Sequence, residues 1–426
     1  MPTIAKPRPL YASSDDCAAW FKSKRRLVDF TDLNRLLEKR SSQEHELWEY
    51  GLEFLAYIAR NKSPHTFNRF RGEIERFILW CWLVHSKPID QLKKQDILDF
   101  ADFCWQPPES WLALANFDRF QLQDGAYIFN PQWRPFRAQL DHTEAAEHLN
   151  EAERAKLAAR QYRPSQQTLT AMFTALVAFF KFLMNEELVS GNPAQIAKKD
   201  CRHFIKDAQV AQVKRLSEAQ WDYVMQAAEK MAEEDADYER SLFVIAALKT
   251  LFLRISELAE RENWTPEMRH FWQDERGSWW LKVYGKGRKL RDVTVPKTFL
   301  RYLERYRQSR SLPALPSTQD TSPIVEKLRG RGGMTARHLR RLVSEVFDEA
   351  AILMTAEQGE QAARRLNEAT THWLRHTGAS MEIERGRALK DLSEDLGHAS
   401  MATTDGIYVQ TENKKRAESG KDRKVR

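Results

Sequence analysis

The sequence predicts a mainly α chain with a small β-sheet, arranged as two helical domains. Three observations carry this. The chain has 426 residues, more than the ~100 to 200 of one domain. Apolar residues recur at spacings of three and four in both halves, the mark of amphipathic helices. One short stretch of β-forming residues interrupts the second half. Hydrophobic residues make up 42% and charged residues 30%, a balance that fills cores and excludes disorder. With 67 Lys and Arg against 60 Asp and Glu, the net charge is +7, a modest surplus compatible with a phosphate-binding surface. Cys17, Cys81, Cys104 and Cys201 are far apart and show no CxxC spacing, so neither a zinc site nor a disulfide framework is expected. The N-terminus lacks the apolar region of a signal peptide, and no run approaches ~18 uninterrupted apolar residues. A soluble protein of a reducing, cytoplasmic compartment is the reading.

In chain order, residues 1–45 are polar and mixed, end in a helix-like run over 33–40, and receive no role. Residues 46–197 form the first helical domain. Phe67, Phe70, Ile74, Phe77, Ile78 and Cys81 lie on one helical stripe, with Ser63 and Pro64 at its start. Leu169, Met172, Leu176, Phe179 and Leu183 lie on another, after Arg163-Pro164-Ser165. The two stripes should face each other, and Gly191-Asn192-Pro193 should end the unit. Between them, an insertion at about 104–163 carries QPPESW and NPQWRPF; Trp133 and Phe136 are expected to pack it onto the helices. Residues 198–215 are polar and basic and read as a linker. The second domain, 216–412, opens with helices. A hairpin follows over 279–296, with its turn at Gly285-Lys286-Gly287, then a loop over 312–333 and a helix capped by Thr335 that carries Arg337, Arg340 and Arg341. Residues 413–426 are a basic tail.

Four motifs occur in order: LFLRISEL around Arg254, VYGKGRKLRDVTVP around Lys286, HWLRHTGAS from His372, and LGHASMATTDGIY ending at Tyr408. Together they resemble the catalytic signature of the tyrosine recombinase (phage integrase) family. The two apolar helices likewise resemble the first and last helices of that family's core-binding domain. The resemblance implies an N-terminal helical core-binding (SAM-like) domain followed by a tyrosine recombinase catalytic domain.

The chemistry is consistent with the residue types. Cutting a DNA strand by transesterification needs a nucleophile, cations for a phosphate that gains negative charge in the transition state, and an acid for the leaving 5′ oxygen. Arg254 and Arg375 suit the cationic role, because a guanidinium is planar, forked and permanently charged. His372 and Arg375 are three apart, hence on one helical face. Lys286 sits between glycines at a turn and is assigned the general acid by the resemblance, with Arg288 and Lys289 as rivals. The resemblance also implies that His398 bonds the scissile phosphate and that Tyr408 is the nucleophile. A phenol ionises near ~10, so its attack needs help in losing the proton, which His372 or His398 could give. The interval from His398 to Tyr408 is ten residues, one longer than the common pattern, with Asp405-Gly406 allowing a kink. His376 is expected on the other side of its helix in a structural role, and Glu257 and Leu258 in packing and orientation. Candidate DNA contacts are Thr66, Arg69, Gln167 and Thr168 in the first domain and Arg337 and Arg340 in the second.

The resemblance implies site-specific recombination of double-stranded DNA by a homotetramer, at the nucleoid of a prokaryote. No cofactor or metal is expected, and DNA-bending or directionality proteins are candidate partners. The insertion and the extra N-terminal segment favour an integrase of a mobile element over a chromosome or plasmid dimer resolvase. A type IB topoisomerase has differently spaced motifs, and a catalytically inactive DNA-binding regulator would not need all six catalytic candidates.

Overall fold

The computed structural model describes residues 5–23, 29–138, 149–205, 214–262, 264–285 and 289–397. The chain divides into two compact units, Met1–Ala208 and Gln209–Arg426.

The first unit runs α1 (Ser14–Ser23), α2 (Thr31–Glu38), α3 (Ser42–Asn61), α4 (Pro64–Trp80) and α5 (Lys94–Trp105). Four short strands follow, β1 (Leu112–Ala113), β2 (Phe120–Gln123), β3 (Ala126–Phe129) and β4 (Phe136–Arg137), and then α6 (Glu151–Gln161), α7 (Gln166–Asn185) and α8 (Pro193–Asp200). Helices α4 and α7 begin alike. The Ser63 hydroxyl accepts the Thr66 N–H at 3.3 Å, with Pro64 in the first turn, and the Ser165 hydroxyl accepts the Thr168 N–H at 3.1 Å. Their stripes bury Phe67, Ile74, Phe77, Leu169, Leu176 and Phe179 and face each other as expected, with the Phe77 ring 5.9 Å from Phe180. Helix α7 is long and apolar enough to span a membrane by length and composition, yet its Phe173, Leu176 and Phe180 are fully buried in this core.

Gly191-Asn192-Pro193 does not end the unit. The Asn192 side chain accepts the Gln195 N–H at 3.1 Å and donates to the Val177 carbonyl at 2.9 Å, so Asn-Pro starts α8 instead, as an N-cap followed by proline at the first helical position. Helix α8 buries Ala194 and Ala197 against α5 and α7. Beyond it, His203 stacks on Trp105 at 4.3 Å and lies 2.6 Å from an Asp102 carboxylate oxygen. The stretch read as a linker therefore packs on the first unit as far as residue 205.

The N-terminal segment and the insertion dock on the same stretch of α4. The buried Glu75 carboxylate accepts the N–H groups of Leu10 (2.9 Å) and Tyr11 (3.3 Å) and the Arg119 guanidinium (3.1 Å). One residue on, Arg76 donates to the Pro135 carbonyl at 3.0 Å and to Glu73 at 2.7 Å. The hairpin β2–β3 turns at Asp124-Gly125, both at positive φ, the conformation a tight two-residue turn requires. It rests on α2, where Phe30 stacks on Tyr127 at 4.6 Å and Asp32 accepts the Phe129 N–H at 3.0 Å. Trp133 and Phe136 are buried, as anticipated.

The second unit runs α9 (Glu218–Glu234), α10 (Glu239–Thr250), α11 (Ile255–Leu258), β5 (Phe271–Gln273), β6 (Trp279–Tyr284), β7 (Leu290–Val295), α12 (Lys297–Ser309), α13 (Ala336–Gln358), α14 (Glu360–Asn367), α15 (Thr371–Glu384) and α16 (Leu389–Leu396). Helix α10 is buried from Glu239 to Leu248 and packs against α9, α12, α13 and α15. The expected hairpin is β6–β7, paired from Trp279↔Val295 to Tyr284↔Leu290. It is part of a three-stranded antiparallel sheet, because β5 pairs with β6. The three residues of β5 are too few to show an alternating pattern. Strand β7 packs on α16, which brings the sheet to the end of the segment that leads to His398.

Candidate active site

The site is assembled where α10 ends. Phe252 has a φ of 51°, a left-handed conformation that costs a non-glycine residue about 1 to 3 kcal/mol and persists only when its surroundings impose it. They do so here. The Phe252 ring packs among Ala379, Ile383, Leu392 and Leu396, and its carbonyl accepts a hydrogen bond from Arg375. Two residues later Arg254 caps α11: its N–H donates to one Glu257 carboxylate oxygen at 2.8 Å and its guanidinium to the other at 3.0 Å.

Glu257 is buried, and Arg291 of β7 holds it with two further bonds of 2.8 and 2.9 Å. Burial alone would raise the Glu257 carboxyl, but the bonds and charge of Arg291, followed by those of Arg254, hold it below its ordinary value. It is a carboxylate at neutral pH, with two guanidiniums on it.

Arg375, on α15, is 2% exposed. Its guanidinium donates to the carbonyls of Phe252 and Leu396, and among the described residues no carboxylate lies within ion-pair distance of it. Burial, then the neighbouring charge of Arg254, lowers its pKa to about 9. A buried cation without a countercharge is costly, and a bound phosphate would supply that countercharge. His372, one turn back on the same helix, is lowered by partial burial and by Arg375 and Arg254, so it is neutral near pH 7 and able to accept a proton. His376 is not on the far side of α15: its ring lies 4.4 Å from His372, edge to face, because residues four apart share a helical face.

The structure thus brings Arg254, His372 and Arg375 into one positive cluster with Glu257 and Arg291 behind it. Lys286, Arg288, His398 and Tyr408 lie outside the described residues. Lys289, directly after Arg288, is described. Of the candidate DNA contacts, Thr66, Arg69, Gln167 and Thr168 come together at the adjacent starts of α4 and α7, where Arg69 donates to the Gln167 carbonyl at 3.5 Å. Such paired helix N-termini favour phosphate. Arg337 and Arg340 are exposed in the first turns of α13. The sequence reading passed over Arg291 and Asp395. A signal for the first existed: Arg291, Val293 and Val295 share one face of β7, the two valines are buried, and an arginine on a core face needs a partner.

Residues 214–415 match the phage integrase family model. The second unit, which this match nearly spans, belongs to this family of tyrosine recombinases. The tyrosine recombinase XerC of Lactobacillus delbrueckii subsp. bulgaricus is 24% identical over 250 residues, covering 58% of this chain and 72% of the relative. XerC of Leptospira interrogans is 26% identical over 261 residues, covering 60% and 72%. Among solved structures, the XerH site-specific recombinase bound to palindromic difH substrate superposes with a TM-score of 0.55 at 14% identity, covering 98% of this chain and all of that one. The Tn1549 transposon integrase in complex with transposon right end DNA gives 0.50 at 15% identity, covering 87% and 98%. The expected fold class, a helical core-binding unit followed by a tyrosine recombinase catalytic unit with a small sheet, is the one found.

Proposed function

We propose that this tyrosine recombinase cuts and rejoins duplex DNA at specific sites through a 3′-phosphotyrosyl intermediate, as the integrase of a mobile genetic element. The observation that carries the chemistry is Arg375, a buried guanidinium that borders Arg254 and His372 and has no carboxylate partner among the described residues. Such a site suits the scissile phosphate of a DNA backbone.

The Tyr408 oxygen attacks phosphorus, a P–O bond forms to tyrosine, and the bond to the 5′ oxygen breaks. The electron pair leaves with that oxygen, which takes a proton from Lys286. Neutral His372 accepts the tyrosine proton, and His398 bonds the phosphate. Arg254 and Arg375 neutralise the charge that grows on the non-bridging oxygens, a role in which losing one donor costs about 2.7 to 4 kcal/mol of barrier. The phosphotyrosyl bond keeps the energy for religation by a 5′ hydroxyl of the partner strand. Four protomers exchanging strands in pairs on two sites, with accessory DNA-bending or directionality proteins, complete the reading. Thr66, Arg69, Gln167, Thr168, Arg337 and Arg340 would hold the flanking backbone.

The integrase assignment is supported by the N-terminal segment and the insertion, which pack together around Glu75 as an elaboration of the helical unit. A dimer resolvase is the second reading, favoured by the XerC relatives and by a XerH match that spans nearly this whole chain.

Nicked suicide duplexes with a randomised core, incubated with the protein and resolved under denaturing conditions, test the chemistry. Wild type should form covalent adducts and Tyr408→Phe none, while still shifting the captured duplex. Adducts formed by Tyr408→Phe would remove the nucleophile assignment. Recombination of a captured site with a dissimilar one supports the integrase, and reaction between identical copies alone supports the resolvase.

A further inference from the structure

Resting on the recombinase reading above, we infer that Arg291 is a positioning residue for strand cleavage. Clamped to Glu257, it fixes Arg254 together with the chain at Gly285 and Gly397. These two glycines immediately precede Lys286 and His398 in the sequence.

The joint is fully engaged. Both terminal nitrogens of Arg291 bond Glu257, at 2.8 and 2.9 Å, and its Nε donates to the Asp395 carbonyl at 2.9 Å. The Asp395 carboxylate returns to β7, accepting the Thr294 N–H at 3.0 Å and hydroxyl at 2.6 Å, and it also accepts from Arg387. Glycines close on the same guanidinium from two sides. A Cβ on Gly397 would stand 2.8 Å from the Arg291 Cδ and 2.9 Å from its Nε, and one on Gly285 would stand 3.0 Å from its Nη1. Gly397 also has a φ of 60°, which a side chain would resist. One side chain therefore touches the segments that lead to three of the catalytic candidates. Its fork is essential to this, because a lysine offers a point charge and cannot span both carboxylate oxygens while bonding a third group.

A plain ion pair between sheet and helix would lower stability when removed but would not act through Arg254. The experiment separates the two on full-length protein with a nicked duplex captured by wild type, in single turnover. Arg291→Met should slow adduct formation about 100-fold, the scale of a small misplacement of reacting groups, with affinity for the duplex unchanged. In an Arg254→Ala background the same change should add little. On a duplex whose scissile phosphate is a neutral methylphosphonate the defect should shrink, since less charge needs the guanidinium. Arg291→Lys keeps the charge and guards against a folding failure of the methionine variant; it should stay about 10-fold slow or more. A wild-type rate in either variant, or an equal loss with and without Arg254 and on both phosphates, overturns the positioning role. Wild type that forms no adduct on any duplex fails the recombinase reading itself.

Discussion

The helical unit and the candidate active site hold their arginines in opposite ways. In the first, Arg119 meets Glu75 at 3.0 Å and Arg76 meets Glu73 at 2.7 Å, and each pair ties a distant segment to α4. In the second, Arg375 is buried more deeply, at 2% exposed, and against carbonyls alone, and its carboxylate-bearing neighbour Glu257 is already occupied by Arg254 and Arg291. A buried cation that is matched within the chain builds architecture. One left unmatched is a stored demand for an anion, and strain at Phe252 beside it points the same way.

The largest effect is expected at Glu75. Glu75→Ala strands the Arg119 charge and two backbone N–H groups, and removing one member of a buried pair costs about 3 to 5 kcal/mol. Urea unfolding should show that loss, and the N-terminal segment should become sensitive to protease. Arg375→Gln should invert the pattern. Cleavage falls by about 2.7 to 4 kcal/mol of barrier, while unfolding free energy holds, because a buried unmatched charge has gone. A stability loss as large as that of Glu75→Ala would show Arg375 to be architectural after all.

A gentler test supplies the missing anion. Inorganic phosphate should raise the melting temperature of wild type and leave Arg375→Gln unmoved; stabilisation reaches about 2.7 kcal/mol when phosphate stands at 100 times its dissociation constant. Equal shifts in both proteins would place the anion elsewhere, for instance at the starts of α4 and α7.

The same contrast decides what could be read from the sequence. Arg254, His372 and Arg375 were legible because motif order fixed them, and the α4 and α7 stripes because apolar periodicity survives without tertiary knowledge. Glu75 was not, since a glutamate in a helical run reads as a solvent-facing residue, and its burial depends on Leu10 and Arg119, 65 and 44 positions away. Arg291 was hidden by its neighbours: Lys286, Arg288 and Lys289 precede it closely in the sequence, and only strand register shows that Arg291 faces the core. Asn192 misled because Asn-Pro stops one helix and starts the next with the same chemistry. The role of 1–45 was invisible because Tyr11 finds its place only against Trp48.

The smallest effect is the sign of the pH dependence at two buried glutamates. Glu257 is held below its ordinary value of 4.5, so the unfolded chain binds its proton first on acidification. Its contribution is complete above 4.5 and is lost as pH falls through the lower folded value. Glu73 runs the other way: burial raises it above 4.5 against the pull of Arg76, so folding disfavours its charged form at neutral pH and the penalty fades as pH falls through the raised value. Each unit of displacement is about 1.4 kcal/mol. Glu257→Gln should therefore be costly at pH 7 and progressively less so in acid. Glu73→Gln should look better relative to wild type at pH 7 than near pH 4. Urea midpoints at the two pH values read both, and parallel slopes for the two variants would show that the carboxylate clamped by two arginines and the one held by a single arginine are not in different electrostatic states.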